Sequence, residues 1–320
     1  MNLDKLDRDI LFELESNSSI QTNFLAKKLK KSKDVISYRI NRLKKEKILR
    51  SCTAIVDMTR LGYIIFRVYI KWQNMDEEMK KRFYDWLGKN ETVWTTTLLH
   101  GKWDFAIFIG LKSDMYIDNF HKLWQQILKE YKEKIADDKI AIYSPIYNFN
   151  KRFFSDEKKE VISRIYGNDK SIDYDDLDLR IIHIYSPDVR QSLMDIADKA
   201  KTSVETARRR IKELEKKKII VGYKIDLDLP KLGYQGYRVD FSLNSMSRIN
   251  EILDYIKNHK YFYQINKSIG GADLETEIVV KDLSHLLSIL EEMMAKFKDV
   301  IKNYEYMGYT EFPKLSIVSD

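Results

Sequence analysis

Apolar residues recur over the first fifty positions with the spacing of short helices: Ile10, Leu11 and Leu14, then Phe24, Leu25 and Leu29, then Ile36, Ile40 and Leu43. Ser32 stands just before the third run, where its hydroxyl can accept an orphan amide hydrogen bond of the first turn, so the pattern predicts three helices with a capped third. Residues 48–56 are rich in β-formers and predict a two-stranded wing ending at Leu61-Gly62. From Phe66 the period drops to two, with Phe66, Val68, Ile70 and Trp72 alternating with Arg67, Tyr69 and Lys71, the signature of a half-buried strand. A charged helix (75–87), two strands joined tightly near Gly101 (93–99, 105–109), an amphipathic helix carrying Tyr116, Phe120, Leu123, Ile127 and Tyr131, and a strand (139–147) follow. The order strand, helix, strand, strand, helix, strand is ferredoxin-like.

The same pattern is then written again. Residues 6–70 match 177–241 at a fixed offset of 171, with 19 of 65 positions identical. Ser32 falls on Ser203, Arg39-Ile40 on Arg210-Ile211, Leu61-Gly62-Tyr63 on Leu232-Gly233-Tyr234 and Arg67-Val68 on Arg238-Val239. The register then shifts by two, so that Gly101 and Asp104 match Gly270 and Asp273. The fold class that follows is α+β, two winged helix-turn-helix domains alternating with two ferredoxin-like βαββαβ domains. Boundaries are set at 1–62, 63–150, 174–233 and 234–320. The charged stretch 151–173 reads as a linker with one short helix around Val161, Ile162 and Ile165. An open apolar-aromatic sheet face needs a cover, and with two sheets per chain an intrachain pair supplies it.

Charge then points to a partner. The chain carries 56 Lys+Arg against 49 Asp+Glu, a net +7. Residues 1–50 hold thirteen basic and seven acidic side chains and residues 172–221 eleven and ten, which leaves about zero elsewhere. Each third helix, 32–47 and 203–218, is net +4. A trihelical unit with a wing presents its third helix to the DNA major groove. With Ile36, Ile40 and Leu43 facing inward, Lys33, Ser37, Tyr38, Asn41 and Arg42 reach outward, and Arg39 is taken with them as a DNA contact. In the second copy Ser203 caps, Ala207, Ile211 and Leu214 face inward, and Glu205, Arg208, Arg209, Arg210 and Lys212 form the corresponding set. The two outward faces differ, since Ser37-Tyr38 becomes Arg208-Arg209 and Lys33 becomes Val204, so each should prefer its own half-site.

These residues carry a family resemblance. The chain resembles a tandem duplication of the Lrp/AsnC (leucine-responsive, or feast/famine) transcription regulators. The likeness rests on Leu6-Asp7-x-x-Ile10-Leu11, Leu25-Ala26, Ser32 through Leu43, Lys47-Ile48-Leu49, Leu61-Gly62 and Gly101-x-x-Asp104, and on their second-copy equivalents from Leu177-Asp178 to Gly270-x-x-Asp273. The resemblance implies a single-chain pseudo-dimer on double-stranded DNA. It also implies an amino acid or similar small effector at the sheet domains, near Gly101, Asp104, Gly270 and Asp273, and is compatible with further association into a homo-oligomer. Two departures stand out. Ser19 and Gln21 replace the more typical Arg190 and Ser192 of the second copy, which weakens a shared phosphate contact, and the glycine usual after the third helix is Lys47 and Lys218 here, implying a strained or longer turn.

Several classes are excluded. No apolar run approaches the ~20 residues needed to span a bilayer, and the acidic start lacks a secretory pattern, so a cytoplasmic chain without membrane contact is expected. Cys52 alone forms neither an intrachain disulfide nor a cysteine zinc site, and His100, His121, His183, His259 and His285 lack metal-ligand spacing. No phosphate-binding loop, dinucleotide turn or nucleophile elbow occurs, so neither a metal, a cofactor nor an enzymatic activity is expected. Two rivals remain. Siroheme decarboxylases share the layout but carry a His-Cys-Tyr-Arg stretch that is absent from 93–100 and 262–267. An architectural protein would use the +7 charge without sequence choice.

Overall fold

A computed structural model describes residues 3–112, 114–155 and 159–315; positions 1–2, 113, 156–158 and 316–320 of the expected domains and linker lie outside the described residues. The first three helices are α1 (Lys5–Ser16), α2 (Thr22–Lys28) and α3 (Lys33–Lys45), followed by strand β1 (Leu49–Val56). Asp4 and Ser32 cap α1 and α3, Ser32 accepting from the Val35 amide at 3.3 Å. Then come β2 (Tyr63–Trp72), α4 (Glu77–Gly88), β3 (Val93–Gly101), β4 (Phe105–Lys112), α5 (Tyr116–Tyr131), β5 (Ile135–Phe149) and β6 (Ser163–Tyr166). The order resumes with α6 (Asp176–Tyr185), α7 (Leu193–Lys199), α8 (Val204–Lys216), β7 (Ile220–Leu227), β8 (Gln235–Leu243), α9 (Ile249–Asn258), β9 (Phe262–Ile269), β10 (Leu274–Val280), α10 (Leu283–Lys296) and β11 (Ile301–Leu315). No helix among the described residues is long and apolar enough to cross a membrane.

The wing differs from expectation. Residues 48–56 give one strand, with no turn to fold it back on itself, and its partner is the corresponding strand far along the chain. β1 pairs antiparallel with β7, Cys52 opposite Ile225, Thr53 opposite Lys224 and Ala54 opposite Tyr223. Thr53 and Lys224 are equivalent under the offset of 171, so the ribbon is centred on a residue and its own counterpart. Asp57 N donates to Ile219 O at 2.8 Å and Asp228 N to Ile48 O at 3.0 Å, the same bond made from each side.

The remaining strands do not stay two sheets. They run β2-β4-β3-β11-β8-β10-β9-β5, and β5 returns to pair with β2, so eight strands close into a barrel with β6 lying along the far end of β5. Sheets that expose an unpaired edge invite further pairing, and closure removes the edges. The expected face-to-face cover is therefore replaced by edge joining, β3 to β11 and β5 to β9. Helices α4 and α5 pack Phe83, Leu87, Leu123 and Ile127 on one side of the barrel, and α9 and α10 pack Ile252, Ile256, Leu286 and Leu290 on the other.

The linker is also other than predicted. Its described part holds strand β6 and no helix. Phe153 and Phe154 are buried in one core shared with both helical units. Arg152 donates to the carbonyls of Lys257, Asn258 and His259 at the end of α9, satisfying orphan acceptors there. Arg164 donates to Glu15 O, Ser16 O and Tyr223 O at 3.0, 2.8 and 2.6 Å, tying the end of α1 to β7 from within β6.

Candidate DNA interface

On α3, Ile36, Ile40 and Leu43 are buried, while Lys33, Tyr38 and Asn41 are exposed and Ser37 half-buried. Arg39 and Arg42 are committed elsewhere: Arg39 Nη1 lies 2.5 Å from Asp4 and 3.1 Å from Asp7, and Arg42 Nη2 also bonds Asp7, a carboxylate only 1% exposed. The Asp7 amide, with Arg39 adding to it, holds the Asp4 carboxyl below the usual carboxylate range. The two guanidinium groups thus fix α3 against the capping box of α1. On α8, Ser203 accepts from the Thr206 amide at 3.1 Å, and Ala207, Ile211 and Leu214 are buried. Arg210 repeats the Arg39 contacts, 2.7 Å from Asp175 and 3.1 Å from Asp178. Arg208 and Arg209 are exposed and pair with Glu205 and Glu213 of their own helix. Such pairs are worth little in water and can be exchanged for phosphate. Lys212 is exposed.

The turn after each third helix is neither longer nor irregular. Lys47 and Lys218 adopt φ of 56° and 55°, the left-handed conformation glycine would supply, and Ile48 N→Leu43 O and Ile219 N→Leu214 O close the helix ends. Arg190, expected near phosphate, instead donates to Ser18 O, Ile20 O and Thr22 Oγ1 at 3.3, 2.7 and 2.8 Å, clamping the second unit onto the first. Above this clamp lies a cleft of about 930 Å³ to which Lys33 of the first unit and Arg208 and Lys212 of the second contribute, with Gln21, Asn23 and Gln191. The sequence missed this junction because its contacts join residues about 170 positions apart.

The candidate effector residues have structural duties. Gly101 and Gly270 have φ of 114° and 82°, and a Cβ there would stand 2.7 Å from Tyr306 O and 2.6 Å from Ile140 O, so each lets the last strand of the opposite half approach. Asp104 accepts from Lys71 Nζ and Trp72 N at 2.7 and 2.9 Å, and Asp273 from Leu243 N at 2.8 Å. Asp104 also lines a cleft of about 480 Å³ with Trp72, Lys80 and Tyr84. Among the described residues no cluster of His, Cys, Asp or Glu could hold a metal ion.

The family model for winged helix-turn-helix DNA-binding matches residues 3–50. An HTH-type transcriptional regulator of Pyrococcus furiosus is 39% identical over 103 residues, 32% of this chain and 70% of that one. The regulator LrpA of Pyrococcus horikoshii is 29% identical over 128 residues, 40% of this chain and 91% of its own. Among solved structures, the siroheme decarboxylase NirDL superposes with a TM-score of 0.65 at 12% identity, covering 98% of this chain and 93% of that one, a likeness of fold alone. With its third helices exposed and a relative of this identity and coverage, the chain belongs to the HTH-type, DNA-binding transcription regulators of the Lrp/AsnC kind.

Proposed function

We propose that the chain is a tandem duplication of that module and acts in the cytoplasm as a sequence-specific, non-enzymatic regulator, a single-chain pseudo-dimer placing two unlike third helices on one DNA site. The observation that carries this reading is the β1–β7 ribbon centred on Thr53 and Lys224. It relates the two helical units by an approximate two-fold, as DNA half-sites are related. Two further facts support it. The relatives match less than half of this chain while nearly filling their own length in the case of LrpA, and the barrel segments β5-β2-β4-β3 and β11-β8-β10-β9 repeat the same strand order.

In this reading Lys33, Ser37, Tyr38 and Asn41 read one half-site and Ser203, Glu205, Arg208, Arg209 and Lys212 the other, while Arg39, Arg42 and Arg210 hold the helices in position. An amino acid or similar effector enters beside Asp104, which lines a cleft of about 480 Å³, within the size range of small-ligand sites. The test is affinity against salt for the intact chain and for Lys33→Ala and Lys212→Ala. Removing one phosphate-neutralising side chain lowers the log–log slope by ~0.9, and unchanged slopes for both variants rule out these helices as the DNA surface.

A second reading, a tetrapyrrole enzyme, is not favoured by the full-length likeness to NirDL, which at 12% identity is one of fold alone. Addition of an iron tetrapyrrole to the intact chain with no change in its Soret band excludes it.

A further inference from the structure

Inside the barrel the strand faces turned away from the helices meet, and there the two halves are not alike. Strand pairing sets the correspondence: Arg67 lies opposite Phe108 and Tyr69 opposite Ala106 in the first half, Arg238 opposite Glu277 and Asp240 opposite Glu275 in the second. At equivalent positions the first half therefore has Arg67, Tyr69, Ala106 and Phe108, and the second Arg238, Asp240, Glu275 and Glu277. On the last strands the equivalents are Lys139, opposite Tyr69, and Glu305, opposite Asp240. The first half thus brings Arg67 and Lys139 with no carboxylate, and the second brings Arg238 with four. Lys71, further out, is neutralised within its own half by Asp104 at 2.7 Å.

The contacts cross between the halves. Arg67, 4% exposed, lies 3.8 Å from Glu277 and stacks over Tyr143 and Phe108, its centre 4.6 and 4.1 Å from those rings. Arg238, 1% exposed, donates to Tyr143 Oη and to Asp240 at 2.7 Å each and stands 2.5 Å from Glu275. Tyr309 and Tyr263 donate to Glu277 at 2.6 and 2.9 Å, and Lys102 pairs with Glu305 at 2.7 Å. Tyr143 and Tyr309 occupy equivalent places, so the shared scaffold is Arg-Tyr and the differences are the added acids.

We propose that this interior is a pairing code: the cationic face of the first half accepts only a carboxylate-bearing face like that of the second, so the barrel closes between unlike halves and excludes pairing of like with like. Two first halves would bury two guanidinium groups, beside two half-buried lysines, with no acid at these positions. Two second halves would bury six acidic side chains, Asp240, Glu275 and Glu277 from each, against two guanidinium groups. Unpaired buried charge is far more costly than a buried pair is stabilising, so specificity comes from the rejected pairings. The inference concerns the barrel and is independent of what α3 and α8 bind. Its consequence is insulation, since a one-module relative whose interior lacks these acids cannot replace the second half.

The test uses three full-length variants. One carries Asp240→Tyr, Glu275→Ala and Glu277→Phe, making both halves cationic; one carries Tyr69→Asp, Ala106→Glu and Phe108→Glu, making both anionic; the third carries all six. Melting is followed by circular dichroism, and mass by light scattering after unfolding and refolding each alone and the first two together. Each triple variant alone is expected to melt about 10 °C or more below the parent, or not to fold. The six-substitution chain is expected to recover most of that loss, and the two triple variants refolded together to give a 1:1 two-chain particle that neither gives alone. A triple variant melting within about 3 °C of the parent overturns the proposal. So does a failure of both rescues, which would assign the pairing to shape instead of charge.

Discussion

Removal of the Asp7 carboxylate by Asp7→Ala tests how the first reading helix is held. The carboxylate is almost fully buried and serves three donors, the Asp4 amide at 3.3 Å, Arg39 Nη1 at 3.1 Å and Arg42 Nη2. Taking one partner from a buried ion pair costs about 3–5 kcal/mol. The two guanidinium groups here are 22% and 25% exposed and Arg39 retains Asp4, so water and the second carboxylate recover part of that, leaving about 2 kcal/mol. Loss of half of the reciprocal cap adds about 1 kcal/mol, for a total near 3 kcal/mol by the same accounting. The second unit provides an internal control. Asp178 has the same cap and the Arg210 contact, but Glu213 stands where the first unit has Arg42, so Asp178→Ala is expected to cost about 1 kcal/mol less. Urea unfolding of the intact chain, followed by far-ultraviolet circular dichroism, measures both. A cost below about 0.5 kcal/mol for Asp7→Ala, or a larger cost for Asp178→Ala than for Asp7→Ala, refutes the reasoning.

Burial, and next the neighbouring Glu275, push the Asp240 carboxyl up to about 8 from 3.8. A raised carboxyl favours the fold fully below its unfolded value and loses that contribution as pH rises toward the folded one, at no more than about 1.4 kcal/mol per pH unit. Glu275, Glu305, Arg238, Arg67 and Lys139 face it. Urea midpoints of Asp240→Asn between about pH 5 and pH 8 should therefore fall less steeply than those of the parent, and parallel profiles contradict this. Gly101→Ala is expected to destabilise by about 2–4 kcal/mol, because its Cβ meets Tyr306 O at 2.7 Å and its φ of 114° is strained for alanine; thermal melting checks it, and a melt like the parent's contradicts it. Lys47→Gly, at a φ of 56°, is expected to stabilise by up to about 1 kcal/mol, visible as a melting point a degree or two higher, and a lower one refutes the strain argument.

What the sequence made legible was local. The caps Ser32 and Ser203, the inward runs on both third helices and the period-two strands at Phe66 and Tyr237 all depend on neighbours within a turn or a strand. Arg67, Tyr69, Arg238 and Asp240 alternate with apolar residues as solvent-facing positions do, yet barrel closure buries them, and nothing in a period of two distinguishes water from a second polar face. The wing was misread because β1 finds its partner across the chain, and the linker because Arg164 reaches Tyr223 and Glu15, 59 and 149 residues away, and Arg152 reaches Lys257, 105 residues away. The third-helix arginines were read by charge alone, which could not tell Arg39, tied to buried Asp7, from exposed Arg209.

The most direct test of the central claim is selection of bound sequences by the intact chain from a random duplex pool at near-physiological salt. Two unlike helices held rigidly about the β1–β7 ribbon predict a recovered motif of two different half-sites about one helical turn, ~10 bp, apart. Binding that enriches no motif, or no binding at all, contradicts the account of a sequence-specific single-chain pseudo-dimer.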